Sequence, residues 1–431
     1  MKKGRNILTT VIIGFALFAS FFGAGNLIFP PSIGLAAGKN WLTALSGFAI
    51  SGVLLPILSF VAVVRAGGTE EGISSEMGRV FSLIFSIVIM LCTSLLIAVP
   101  RTAATTHELG VATIFGSVPQ LWTSCVFFAI VVYLAFNPSK AIENIGKYLT
   151  PILIVIMTLI IVKGFMTPLG IPKDTGLVGV FRKGFIDGYQ TLDIFGGLVF
   201  SGTICAVIRA HHSDDQRRQM KMVIGCAAVA GICLLFVYGG LLYLGATGTG
   251  SFSTSIARAA LLIGLIDGLF GNLGHQALAF ATIFACLTTA IGLTAGASYF
   301  FWRLTKGRLP YKLNVLIICF VSLLISTLGV DAIVRYAAPV LICIYPTSII
   351  LVLLNVFRCS FINKGTFLGA AYSTLLIGFF EMLPALGLPI DRTLSAFEYL
   401  PFATHGFAWT MPAIVFGVLG TFLCRMWERK T

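Results

Sequence analysis

Long apolar runs alternate with short polar connections along the whole chain. Twelve runs are long enough, at roughly 20 residues each, to cross about 30 Å of hydrocarbon. They cover approximately 7–37, 41–64, 79–100, 119–136, 148–167, 186–208, 221–244, 275–302, 313–329, 332–356, 366–384 and 403–424. Backbone polar groups in lipid must be satisfied within the segment, so each run predicts a helix. The expected class is an all-α integral membrane protein with twelve transmembrane helices and both termini on one side. The long connection Thr247–Gly274 holds a further apolar run, Ala259–Phe270. It is too short to span comfortably and predicts a short helix on the external face.

Composition agrees with lipid as the main solvent. The chain is 57% hydrophobic and only 10% charged, where soluble domains carry about a quarter. The net charge of +13 sits in alternate connections. Lys2, Lys3 and Arg5 are followed by Arg65 and Arg79, by Lys140 and Lys147, and by Arg209, Arg217, Arg218 and Lys221. Then come Arg303, Lys306, Arg308 and Lys312, then Arg358 and Lys364, and finally Arg425, Arg429 and Lys430. These are 20 of the 29 Lys and Arg residues, and the positive-inside rule places them, with both termini, in the cytoplasm. No basic stripe interleaved with aromatics appears, so nucleic acid is not an expected partner. The first run, Ile7 to Ala37, contains Pro30-Pro31 and exceeds a cleavable signal core; it reads as a retained first span. Most cysteines lie in apolar runs and none forms a CxxC pair, which argues for small packing residues rather than a metal or disulfide framework. One membrane domain, 1–431, is expected to hold all function.

Chemistry is concentrated in three stretches. Within the first span, Gly23-Ala24-Gly25-Asn26 is followed by Pro30-Pro31. Glycine, asparagine and proline are poor helix formers. A helix broken at membrane depth frees N–H groups that suit a carboxylate and carbonyls that suit a cation; a plain packing kink is the simpler alternative. In the sixth span, Asp193 lies within Gly188-Tyr189-Gln190-Thr191-Leu192-Asp193, and Gly196-Gly197 behind it predicts a second break near residue 196. An intramembrane acid is a functional candidate by default; the alternative puts it at the outer interface. In the eighth span Ala285, Thr288 and Thr289 share one helical face. A carbonyl and two hydroxyls there suit a small hard cation, or the hydroxyls bond back to their own helix. Arg101, directly after Pro100, reads as the outer end of span three, and Glu381 as near the outer end of span eleven. The histidines show no ligand spacing, and His211 and His212 fall in a cytoplasmic loop. No GxxxxGK[ST] loop and no nucleophile–base arrangement is present, which argues against an ATP-driven pump or an enzyme.

Phe21-Phe22-Gly23-Ala24-Gly25-Asn26-Leu27-Ile28-Phe29-Pro30-Pro31 resembles the opening signature of the branched-chain amino acid:cation symporter family, the BrnQ-type carriers. Gly188-Tyr189-Gln190-Thr191-Leu192-Asp193 resembles that family's Gly-Tyr-x-Thr-x-Asp motif. The likeness spans essentially the whole chain, although Ile194-Phe195-Gly196-Gly197 departs from the expected alanine and leucine. The resemblance implies a LeuT-like (APC superfamily) five-plus-five inverted repeat, with helices 1 and 6 broken and two extra C-terminal helices. The repeats would cover about 7–167 and 186–356, with helices 11 and 12 at about 366–424. It implies a multi-pass carrier of the bacterial inner membrane that imports leucine, isoleucine and valine with Na+ by alternating access.

The same resemblance implies roles for residues. The amides of Ala24, Gly25 and Asn26 would receive the substrate carboxylate. Carbonyls near Phe21 and Thr191 would meet its ammonium, with Asp193 as charge partner, and Phe22 and Phe195 would flank its side chain. Na+ would be held by carbonyls of Ala19, Phe22 and Ala285 and hydroxyls of Thr288 and Thr289. No other cofactor is expected. A carrier of the same fold for another small apolar amino acid, one coupled to H+, and a channel are the remaining alternatives.

Overall fold

The computed structural model describes residues 2–137, 150–201, 216–388, 400–403 and 406–428. Lys140, Lys147, Arg209, His211, His212, Arg429 and Lys430, and residues 202–208 of the expected sixth span, lie outside these. The described residues are helical and carry no strand.

In chain order the helices are α1 (Lys2–Phe21), α2 (Ala24–Ala37), α3 (Trp41–Ala49), α4 (Leu55–Arg65), α5 (Arg79–Met90), α6 (Ala98–Thr105), α7 (Ala112–Phe115), α8 (Gln120–Ala135), α9 (Thr150–Met166) and α10 (Val180–Asp187). There follow α11 (193–201), α12 (Gln216–Thr247), α13 (Arg258–Phe270), α14 (Asn272–Leu304), α15 (Tyr311–Ser326), α16 (Val330–Val356), α17 (Lys364–Ala385) and α18 (Thr410–Glu428). The helix expected over 259–270 is present as α13.

Among the described residues, seven helical stretches are long and apolar enough to cross a membrane: Ala24–Arg65, Arg79–Phe115, Arg218–Gly250, Leu273–Leu304, Val330–Val356, Lys364–Ala385 and Thr410–Glu428. Four shorter apolar helices accompany them: Leu8–Phe21, Gln120–Ala135, Thr150–Met166 and Tyr311–Ser326. The protein is therefore a multi-pass membrane protein. Its side chains are sorted for lipid: Trp122, Tyr133, Met166, Phe320 and Trp427 are exposed, whereas Asn26, Arg101, Asp193, Asn314 and Asn355 are buried. Polar groups turned inward and apolar groups outward is the arrangement hydrocarbon demands.

The third span is longer than expected. It runs from Arg79 to Phe115, with π-helical turns at Leu91–Leu96 and Thr106–Val111 on either side of α6. Pro100 falls in the first turn of α6, where a missing N–H breaks no helical bond. It therefore does not end the span. Arg101 lies mid-helix and only 2% exposed, not at the outer end.

Two compact units make up the chain. The first comprises 1–57 and 89–334 and the second 58–88 and 335–431. The first is held by crossings in which glycine lets backbones touch. A β-carbon on Gly34 of α2 would lie 1.9 Å from the Leu242 carbonyl of α12, and one on Gly245 equally close to the Pro31 carbonyl. Small-residue contacts of this kind pack membrane helices where no hydrophobic gain is available between them. In the second unit α17 and α18 pack in the same manner at Gly365 and Gly420, sealed by a 2.5 Å hydrogen bond between the hydroxyls of Thr366 and Thr421. Every site residue described below belongs to the first unit.

Candidate functional site

The first break falls where the glycines and asparagine predict it. The Phe22 N–H closes α1 on the Phe18 carbonyl at 2.8 Å. Gly23 then turns extended (φ −117°, ψ −161°) and α2 starts at Ala24. Space is tight here: a β-carbon on Gly23 would lie 3.0 Å from Thr289 Oγ1 of α14. The Asn26 side chain caps the break, its Oδ1 accepting from the Gly23 N–H at 3.3 Å. Helix geometry leaves the amides of Ala24, Gly25 and Asn26 without an acceptor inside α2, and they carry the positive end of its dipole.

The second break lies four residues upstream of the position expected at Gly196-Gly197. α10 ends at Asp187, tightens into a 3₁₀ turn over Gly188–Thr191, and passes through Leu192 in the left-handed region (φ 63°, ψ 14°). Asp193 then opens α11, which continues through both glycines. The Thr191 hydroxyl bonds back to the Gly188 carbonyl at 2.8 Å. A left-handed leucine costs about 1–2 kcal/mol, and such strain persists where the surroundings over-determine it. Gly196 instead provides room: a β-carbon there would touch Phe21 and Phe200 at ordinary contact distances, 3.7–3.8 Å.

The two breaks face each other across a pocket walled by Phe21, Gly25, Arg101, Thr191, Asp193 and Phe200, among others. Asn26 Nδ2 donates to Asp193 Oδ2 at 2.7 Å and also contacts the Tyr238 hydroxyl. Tyr238 of α12 donates to the same carboxylate oxygen at 3.0 Å. Asp193 is 3% exposed and Tyr238 fully buried, so this triad holds a carboxylate in place deep inside the first unit. Paired donors of this kind are what make a buried acid tolerable.

Arg101 enters from α6. Its Nη1 donates to the Gln190 carbonyl in the second break at 2.6 Å. Its Nη2 lies so close to Gly25 that a β-carbon there would be 2.7 Å away. Its plane sits over the Phe29 ring, 5.6 Å from the centroid. Arg101 is thus not at the helix end the sequence predicts, and Tyr238 joins the site unannounced; neither has a local signal, since their partners lie on other elements.

The aromatic pair expected around the substrate side chain is placed differently. Phe22 and Phe195 are fully buried and neither forms part of the pocket wall, which takes Phe21 and Phe200 instead. Phe22 stacks on Phe18 and Tyr238, 5.2 and 6.3 Å between centroids, behind the break.

The residues expected to hold a cation are partly assembled. Thr289 Oγ1 stands 3.5 Å from the Phe22 carbonyl oxygen. That is long for a hydrogen bond but is the spacing of neighbouring ligands at right angles around a cation with oxygen contacts of about 2.3–2.6 Å. Thr288 donates to the Ala285 carbonyl at 2.9 Å, the back-bonded alternative; its lone pairs remain available. Ala19 is buried one turn before Phe22. Among the described residues no cluster of three or more His, Cys, Asp or Glu could hold a metal ion.

Comparison with known proteins agrees with this architecture. The sequence profile described as "Branched-chain amino acid transport protein" matches residues 6–427. The "Branched-chain amino acid permease BraB" of Bacillus subtilis (strain 168) is 35% identical over 437 residues, covering 97% of this chain and 96% of its own. Among solved structures, MhsT in complex with L-phenylalanine superposes with a TM-score of 0.60 at 17% identity, covering 87% of this chain and 97% of its own. MHP1, a nucleobase-cation-symport-1 family transporter in a closed conformation with bromovinylhydantoin bound, superposes at 0.64 with 12% identity, covering 98% and 92%. These neighbours share a LeuT-like transporter fold.

Proposed function

The chain belongs to the family of branched-chain amino acid transport proteins, and from that premise we propose that it imports leucine, isoleucine and valine together with Na+. Family and relatives are transport proteins, not enzymes, so the chemistry required is binding and release, without bond making. The observation that carries the reading is the pocket between two helix breaks, with the first-turn amides of α2, which have no acceptor inside their own helix, on one wall and a buried carboxylate on the other. A zwitterion has the matching polarity. Its carboxylate sits at the N-terminus of α2, against the amides of Ala24, Gly25 and Asn26. Its ammonium sits at Asp193 and the carbonyls of Phe21 and Thr191. Its aliphatic chain points to Phe21 and Phe200.

The coupling ion bridges α14 and the end of α1. Thr289 and the Phe22 carbonyl, already at ligand spacing, form its core, and the Ala285 carbonyl, Thr288 hydroxyl and Ala19 carbonyl complete an all-oxygen shell of the type hard cations prefer. Such an ion ties α14 to the break that binds substrate, so each ligand strengthens the binding of the other. The breaks in spans one and six fit a pair of repeats over about 7–167 and 186–356, working by alternating access as one transport domain of twelve helices in the bacterial inner membrane, with cytoplasmic termini.

Proton coupling is the second reading, and the buried Asn26–Asp193–Tyr238 triad favours it. The deciding experiment is uptake of radiolabelled leucine, isoleucine and valine into proteoliposomes. An imposed inward Na+ gradient at constant pH should drive accumulation. Accumulation driven only by an inward proton gradient would replace the first reading by the second. No saturable uptake under either gradient would remove both.

A further inference from the structure

We propose that Arg101 is a substrate-binding residue, reading the carboxylate of the transported amino acid with the free edge of its guanidinium; this rests on the amino acid transport reading above.

A buried guanidinium must spend its five N–H donors. Arg101 spends only part of them on the protein. Nη1 is committed to the Gln190 carbonyl. Nε is buried and has no hydrogen-bond partner among the described residues. Nη2 lies over Gly25, in the first turn of α2. Nε and Nη2 form one edge of the planar fork, with parallel N–H bonds spaced to meet both oxygens of a carboxylate. Asp193 does not take that edge: its Oδ2 is held by Asn26 and Tyr238, and among the described residues no ion pair joins the two groups. Both nonetheless line the same pocket.

The placement explains three further features. A side chain at position 25 would displace Arg101, whose Nη2 would lie 2.7 Å from its first carbon, and would crowd the Gln190 carbonyl at 3.3 Å. The Gln190 carbonyl, freed by the second break, orients the guanidinium. Phe29 lies beneath it and restricts its plane. The edge left over therefore points to the site where the α2 amides converge. Amides and guanidinium together make a two-sided carboxylate clamp, and Asp193 sits opposite to take the ammonium. The polarity of the substrate is thereby fixed: an amide or an amine lacking the carboxylate leaves the guanidinium edge unpaired, which is the condition under which a polar site discriminates strongly.

The test compares leucine with leucinamide and with 3-methylbutylamine, which lacks the carboxylate, as competitors of [3H]leucine binding to purified protein. Wild type should prefer leucine strongly. Arg101→Gln should reduce the preference for leucine over leucinamide about ten- to a hundredfold, the range of one charge-assisted contact. Arg101→Lys should fall between, because it keeps charge but loses the fork. Preference is a ratio within one variant, so it is read from whatever fraction folds, and Arg101→Lys reports on the site even if the glutamine variant does not fold. Wild-type discrimination retained in both variants, or in the lysine variant alone if only it folds, would overturn the assignment while leaving amino acid transport standing. Failure of wild type to bind leucine would instead overturn the transport reading on which it rests.

Discussion

The side-chain amide of Asn26 donates to the carboxylate of Asp193 at 2.7 Å, across 167 positions of sequence. One residue belongs to each break, so the bond fixes the two interrupted helices against each other. Asn26 is fully occupied in doing so, since its oxygen caps the Gly23 amide. Asn26→Ala removes both bonds and leaves a buried carboxylate short of a donor, a loss of about 1–3 kcal/mol. Thermal unfolding in detergent should shift to lower temperature, and leucine uptake should fall about five- to 150-fold if the same free energy is lost from the site. Asn26→Asp, which sets two acids together, should be worse. Wild-type uptake by either variant would show that the bond does not organise the site.

Tyr238→Phe separates packing from hydrogen bonding. The ring stays wedged against Phe22 and Phe48, at 6.3 and 5.1 Å, while the donor to Asp193 is lost. Leucine affinity should weaken by about 1.5–3 kcal/mol, with the sodium concentration for half-maximal uptake unchanged. A shift confined to sodium dependence would contradict the assignment of the triad to the amino acid.

Thr289→Ala tests the ion site. One charge-assisted oxygen contact is worth about 1.5–3 kcal/mol, so half-maximal uptake should need about tenfold more sodium, or beyond. Thr288→Ala should act in the same direction, and Thr289→Ser should stay close to wild type. Unchanged sodium dependence in both alanine variants eliminates this ion site.

Gly34→Ala probes the crossing of α2 and α12. The added carbon would meet the Leu242 carbonyl at 1.9 Å, and backbone cannot step aside as a side chain can. Overpacking of this kind typically costs about 1–3 kcal/mol, enough to lower the unfolding temperature visibly. Gly239→Ala on α12, whose new carbon would find its nearest neighbour at 3.4 Å, is the matched control and should fold normally.

Much of this was legible in the chain itself, and the exceptions have physical causes. Gly23, Gly25 and Asn26 mark the first break because each disfavours helix locally and Pro30-Pro31 removes N–H groups just downstream. Glycines advertise flexibility, so Gly196-Gly197 predicts the second break near residue 196. The chain instead turns at Leu192, an ordinary helix former held left-handed by tertiary packing, which no local pattern can reveal. A charge directly after a proline usually marks a helix end, so the local sequence predicts one at Arg101. Its buried placement depends on a π-helical turn upstream and on neighbours 76 and 89 positions away at Gly25 and Gln190. Tyr238 is one aromatic in a long apolar run, and only the fold brings it to Asp193.

A zwitterion held between the two breaks is seen most directly in a cryo-electron microscopy map of the protein with leucine and sodium. Leucine density is expected with its carboxylate within hydrogen-bond distance of the Gly25 amide and its ammonium beside Asp193. Helical density running unbroken through residues 19–29, or leucine bound elsewhere, would contradict it.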